Sequence, residues 1–178
     1  MNPLLVIKKY YSVNTLSYDI LLSHSQAVTQ KALMLASEHP ELHIDNEFVS
    51  EAAMLHDIGI FLTNAPMFGC YGSHHYIEHG YLGADLLRQE GFPKHALVCE
   101  RHTGTGLSLL DIDKQQLPLP HRDMRPISIE EQLICFADKF FSKTKLNDEM
   151  SVDRIRKKMA QYGSESVAQF DKWVELFQ

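Results

Sequence analysis

The 178-residue chain is short of several things, and each shortage closes off a class of protein. It has three cysteines, Cys70, Cys99 and Cys135, an odd number, far apart and without a Cys-x-x-Cys pair. They read as reduced thiols of a cytoplasmic protein rather than as a disulfide framework, with Cys99 and Cys135 packed in helices. No apolar run approaches the length needed to span a bilayer. The opening Met1-Asn2-Pro3-Leu4-Leu5-Val6-Ile7-Lys8-Lys9 puts its charges after a short apolar run, the reverse of a signal peptide. Basic residues are outnumbered, 17 against 23 acidic, for a formal net charge of −6. That balance argues against a general duplex-binding surface, whose affinity comes from clustered Lys and Arg. The one concentrated basic stretch, Arg154-Ile155-Arg156-Lys157-Lys158, reads as the solvated face of a helix. There are no repeats, no low-complexity tract and no convincing alternating strand.

What remains is helical periodicity, in a chain 44% hydrophobic and 22% charged, which suits one all-α domain spanning residues 1–178. A first amphipathic segment runs from Pro3 to Tyr11. A second starts near Asn14 or Thr15 and reaches Glu38, where His39-Pro40 stops it. Asp45 or Asn46 caps a third that leads through Ala52-Ala53-Met54-Leu55 to His56-Asp57 and the breaking Gly59. Phe61 to Gly72 is loop-like. Ser73 can cap a fourth helix to Glu90, and Pro93 opens a short fifth ending at Thr103-Gly104. The long connection from Thr105 to Pro126 fits either a lid or a plain surface insertion. Ser128 with Glu131 makes a capping box for a sixth helix to Thr144. Two terminal helices follow, Val152 to Tyr162 and Glu165 to Phe177.

Set on these segments are His24, His56-Asp57, His79, His102 and Asp138. Imidazole and carboxylate donors are the ligand set of divalent transition ions, and six of them suffice for two ions. Each has a bland reading. His24 shares a face with Ile20, Leu21, Ala27, Val28 and Leu35 and fits a hydrogen-bonded core histidine. Neighbours such as His56 and Asp57 share no row in a continuous helix, but at a helix end the chain bends enough for both to reach one cation. His79 lies one turn before Gly83, and His74 or His75 could take its place. His102 fits a helix C-terminus, where the dipole favours a histidine. Asp138 sits in the apolar run Leu133-Ile134-Cys135-Phe136-Ala137, where a carboxylate needs a cation or hydrogen-bond partners; Lys139 beside it projects differently.

The order His24, His56-Asp57, Asp138 resembles the H…HD…D signature of the HD-domain superfamily of metal-dependent phosphohydrolases. Ala52-Ala53-Met54-Leu55-His56-Asp57-Ile58-Gly59 is similar to its LLHDIG box, and Phe136-Ala137-Asp138-Lys139 to its late ADK box. The resemblance covers about residues 18 to 144, with a C-terminal extension over about 151–177. It implies a helical bundle with about five core helices and additional terminal helices. His79 and His102 add the pattern of the binuclear branches. The segment around Glu78-His79-Gly80 and Glu100-Arg101-His102-Thr103-Gly104 resembles small stand-alone HDIG proteins and, more distantly, HD hydrolases of symmetrical dinucleoside tetraphosphates. No GYP triplet follows His102, which sets the chain apart from the cyclic-dinucleotide phosphodiesterases.

By this resemblance His24, His56, Asp57 and Asp138 hold one divalent ion and His79 with His102 a second, with Asp57 bridging. Iron or manganese stands ahead of zinc, magnesium, cobalt or nickel. Asp57, His56 and Lys139 become the catalytic candidates, and Lys139, Arg101, Arg122 and Arg125 the candidates for gripping substrate phosphate. The implied activity is hydrolysis of a nucleotide or related small phosphate ester by metal-activated water. The same six ligands also serve mixed-valence di-iron oxygenases, and an HD pocket can act as a non-catalytic nucleotide sensor, so both alternatives stand beside the hydrolase.

Overall fold

A computed structural model describes residues 1–145 and 148–178. Its helices are α1 (Pro3–Tyr10), α2 (Leu16–Glu38), α3 (Asn46–Leu55), α4 (His79–Gln89), α5 (Pro93–Arg101), α6 (Leu109–Lys114), α7 (Ile129–Asp138), α8 (Val152–Met159) and α9 (Ser164–Phe177). The fold is all-α, with one two-residue antiparallel pairing, β1 (Asn64–Ala65) against β2 (Cys70–Tyr71).

Local chemistry explains most of the helix starts. Side chains of Asn2, Thr15, Asp45, Ser108, Ser128 and Ser151 each accept a hydrogen bond from a backbone N–H of the first turn they precede. Each satisfies a donor that the helix itself leaves unpaired. Four expectations from the sequence need correction. The sixth helix, expected to reach Thr144, ends at Asp138, where tight turns over Phe140 and Phe141 replace it. The fourth helix starts not at Ser73 but at His79, after a 3-10 turn over Tyr76–Glu78. The backbone of His74 is already committed to the neighbouring strand segment, through Asn64 N to His74 O at 2.8 Å and His74 N to Leu62 O at 3.3 Å. The connection 105–126 holds a helix of its own, α6, capped reciprocally by Ser108 and Asp111. Leu107 and Met124 close its base through paired backbone hydrogen bonds of 3.3 and 2.8 Å. Finally, Ser128 and Glu131 form half a box. Ser128 accepts from the Glu131 N–H, but the Glu131 carboxylate turns instead to Arg101 at 2.9 Å and to the Ile127 N–H at 2.9 Å.

Two apolar clusters hold the bundle. One joins α2, α3 and α7 to α8 and α9, with Phe136, Phe170, Trp173 and Phe177 fully buried at its centre. The Phe136 ring lies 5.1 to 5.6 Å from those of Phe140, Phe170 and Phe177. The other packs α1 on α3, α4 and α5 through Ile7, Leu55, Ile58, Leu87 and Cys99. Between α4 and the turn after α3 the contact is backbone on backbone, and the Cys99 side chain of α5 closes on the same spot. A Cβ placed on Gly59 would lie 2.2 Å from His79 O and 2.5 Å from Gly83 N, and one on Gly83 would lie 2.5 Å from Cys99 Sγ. Only glycine permits that approach.

Candidate metal centre

Five segments deliver the six donors. His24 projects from the middle of α2, His56 caps the C-terminus of α3, and Asp57 follows with φ −107° and ψ 9°, already off the helical path. His79 is the first residue of α4, His102 follows the last residue of α5, and Asp138 is the last of α7. The break after His56 does what a continuous helix would not: it turns two neighbouring side chains into one space. All six are 0 to 8% exposed, so none is an ordinary surface histidine or aspartate.

They converge as two groups that share Asp57: His24, His56, Asp57 and Asp138 in one, and Asp57, His79 and His102 in the other. In each, the donor atoms lie within 4.8 Å of one another. Asp57 divides its oxygens between the groups. Oδ2 lies 3.2 Å from both His24 Nε2 and His56 Nε2, and Oδ1 lies 3.3 Å from both His79 Nε2 and His102 Nε2. Asp138 Oδ1 stands 2.9 Å from His24 Nε2. His74 and His75 belong to neither group.

The hydrogen bonds behind the rings settle which nitrogen is free. His56, His79 and His102 each place Nδ1 2.6 to 2.7 Å from the backbone carbonyl three residues earlier, of Ala53, Tyr76 and Cys99 respectively. A carbonyl only accepts, so Nδ1 carries a proton in each ring, and Nε2, once any second proton is displaced, presents the lone pair a metal ligand needs. His79 Nε2 and His102 Nε2 face one another at 3.0 Å, a contact that a proton or another cation reconciles. His56 Nε2 and Asp57 Oδ1 are buried and make no well-aligned hydrogen bond, while Asp57 Oδ2 has the Lys143 ammonium 2.7 Å away. A buried donor or acceptor left so costs on the order of 1–3 kcal/mol, more for a charged group. His24 is the exception, its Nδ1 buried without a partner behind the ring.

The electrostatics point the same way. Burial pulls the His102 imidazolium down to about 4, keeping that ring neutral. At His56 burial also opposes the charged form, but the Asp57 charge and hydrogen bonds to Asp138 and Asp57 outweigh it and push the group up to about 9. Asp57 and Asp138 are held well below the usual carboxylate range; burial opposes this and is overcome chiefly by Lys143 for Asp57 and by Lys139 for Asp138. The centre favours ionised carboxylates and positive charge beside them, as a cation site does.

The cations are distributed differently from the sequence reading. Lys139 does not project away from Asp138: its Nζ lies 2.8 Å from Asp138 Oδ2 and 3.1 Å from the His102 carbonyl oxygen, bracing the two groups against each other. Arg101 is paired with Glu131 and Arg122 with Glu100, while Arg125 is paired with Asp123. The residue missed is Lys143, whose Nζ lies 2.7 Å from Asp57 Oδ2. Tyr76 is stacked on His79 with ring centroids 4.8 Å apart, beside the same centre. A separate groove of about 980 Å³ runs between the 105–126 segment and α9, and none of the six donors lines it.

Comparison with known proteins gives a family. The HD domain family matches residues 21–142, more than half of the chain. An uncharacterized protein of Methanocaldococcus jannaschii is 34% identical over 82% of this chain and 79% of its own length. Two tRNA (cytidine(56)-2'-O)-methyltransferases are each 30% identical. That of Thermoplasma volcanium aligns over 88% of this chain and that of Picrophilus torridus over 72%. The chain spans 42% and 33% of those two enzymes. No solved structure gives a significant match. The chain belongs to the HD domain family.

Proposed function

We propose that this HD-domain chain is a metal-dependent phosphohydrolase acting on a nucleotide or related small phosphate ester. The observation that carries the reading is the division of Asp57, one oxygen toward His24 and His56 and the other toward His79 and His102. His24, His56, Asp57 and Asp138 would hold one divalent ion, and Asp57, His79 and His102 a second, as their donor types suit iron, manganese or zinc. Such a pair supplies water activation at neutral pH and polarisation of a phosphoryl oxygen.

The chain's own residues do the rest. Backbone carbonyls at Ala53, Tyr76 and Cys99 fix three imidazoles in one tautomer. Lys139 holds Asp138 in place and is a positioning residue rather than a grip on substrate. In the net reaction a water oxygen forms the new bond to phosphorus, the ester P–O bond breaks, and the departing oxygen takes the proton the water gives up.

Protein purified without oxygen, analysed for bound metal and offered a panel of phosphate esters with Mn²⁺ or Fe²⁺, tests the proposal. Phosphate release is the expected result. Oxygen uptake on a phosphonate or polyol without phosphate release would replace the hydrolase with a di-iron oxygenase. Nucleotide binding with neither reaction would leave a sensor. Asp57→Ala should lose metal and turnover together, and full metal content with full turnover in that variant removes the basis of the reading.

A further inference from the structure

Lys143 lies outside the six-donor pattern, yet it reaches into the centre. It stands five residues beyond Asp138, after α7 has ended. The chain turns there through Phe140 N to Ala137 O at 3.2 Å and Phe141 N to Asp138 O at 3.2 Å. That turn brings the lysine back over the helix end it has just left. Its side chain is 13% exposed and its Nζ faces Asp57 Oδ2. Tyr76, at 37% exposure against 0 to 8% for the donors, marks the solvent side of the same lysine.

Two lysines face the two carboxylates of this space, Lys139 on Asp138 and Lys143 on Asp57. Lys139 keeps its partners whatever enters, because it is tied to Asp138 Oδ2 and the His102 carbonyl. Lys143 does not. Its ion-pair partner is the carboxylate whose two oxygens the proposed ions would share, so ions there leave a largely buried ammonium short of counter-charge. Burying an unpaired charge is costly, and an anion must then make up the deficit. The arginines that the sequence suggested for this task are each paired with a carboxylate elsewhere.

We propose that Lys143, poised on Asp57 at the edge of the centre near Tyr76, is the cation that grips the substrate phosphoryl group. Lys143 exchanges Asp57 for a non-bridging phosphoryl oxygen when ions and substrate are both bound. A compact ammonium on a flexible stem suits a partner that changes during turnover, where a planar guanidinium would not. The inference rests on the phosphohydrolase reading and names the residue that meets the substrate.

The test uses the Mn²⁺-loaded protein with inorganic phosphate as the probe, by calorimetry. Lys143→Met should weaken phosphate binding by about tenfold or more while the number of ions per chain stays that of the wild type. Lys143→Arg should restore part of the affinity, and Tyr76→Phe, which keeps the ring on His79, should lose about threefold. With an ester that is turned over, the Lys143→Met loss should appear in KM as well as in kcat. Phosphate affinity within twofold of wild type in a metal-replete Lys143→Met protein overturns the proposal. So does a Lys143→Met protein that has lost its ions, since Lys143 would then act through Asp57 alone. If Lys143→Met does not fold, unchanged phosphate affinity in both Lys143→Arg and Tyr76→Phe overturns it equally. Phosphate release by the wild type is scored separately: a protein that binds phosphate through Lys143 yet hydrolyses nothing refutes the hydrolase and leaves the grip standing.

Discussion

Helix α7 serves two regions that are built on opposite terms. Two residues before its end, Phe136 is enclosed by Phe140, Phe170, Trp173 and Phe177, and the indole N–H of Trp173 donates to Gln132 Oε1 at 2.9 Å. Everything buried there finds its partner within the chain. At the last residue, Asp138 enters a space where His56 Nε2 and Asp57 Oδ1 make no well-aligned hydrogen bond and two lysines meet the carboxylates. The aromatic region is complete as folded, while the polar region keeps buried donor atoms that a metal ion could engage. Stability and chemistry are therefore carried by different faces of one helix, and they can be perturbed separately.

The sharpest way to break the comparison is to empty the aromatic side. Phe136→Ala should cost about 3–5 kcal/mol, the range for a fully buried aromatic. Denaturant titration of chelated and Mn²⁺-loaded protein should show the same loss in both; a loss confined to the loaded form would mean that the two faces are coupled. Next in size is removal of the metal itself. Ions present at a hundredfold over Kd stabilise the native state by about 2.7 kcal/mol each, so each ion lost to chelator should lower Tm by roughly 5–10 °C. A wild-type Tm indifferent to chelator and to added Mn²⁺ would place the polar region among ordinary buried networks. A smaller effect is expected from His79→Ala and His102→Ala, which should each lower bound metal from two ions per chain toward one with the secondary structure intact by circular dichroism. One ion per saturated wild-type chain would reduce the centre to a mononuclear one. The smallest effect is a near-zero one: Cys70, Cys99 and Cys135 are buried, with the Cys135 thiol pushed up to about 12 by burial, so none should react with a thiol reagent until denaturant is added. Rapid labelling of the native protein would show that the apolar packing opens on its own.

The two regions also differ in how far the sequence discloses them. The apolar stripe of α7 and the capping side chains are local signals, and they place most of the helices within a few residues. The grouping of the six donors is legible for a different reason: the resemblance of the H…HD…D order to a known family implies it, while periodicity places His24 only in mid-helix and the others near helix ends. Lys143 is not legible. A helix carried on to Thr144 would point it about 140° away from Asp138, and only the tight turn over Phe140 and Phe141 returns it. Nothing in the spacing marks that turn. The capture of His74 by the strand segment, which delays α4 to His79, is equally non-local. So is the turning of Glu131 from Ser128 to Arg101, decided by an arginine thirty positions away in sequence.

The glycine contact between α4, α5 and the turn after α3 has a bearing on how this protein could change. At Gly59 the HD segment touches the backbone of His79 and Gly83, and at Gly80 the same seam continues to the Cys99 carbonyl, three residues before His102. The gauge between the two donor groups is thus set largely by peptide units in contact, with the Cys99 thiol packed on Gly83 beside them. Ordinary drift of the surrounding apolar residues leaves that gauge untouched. A single added methyl at the seam would shift it while every donor kept its identity, so the most consequential substitutions for the spacing of this centre fall on residues that have no side chain to ligate anything.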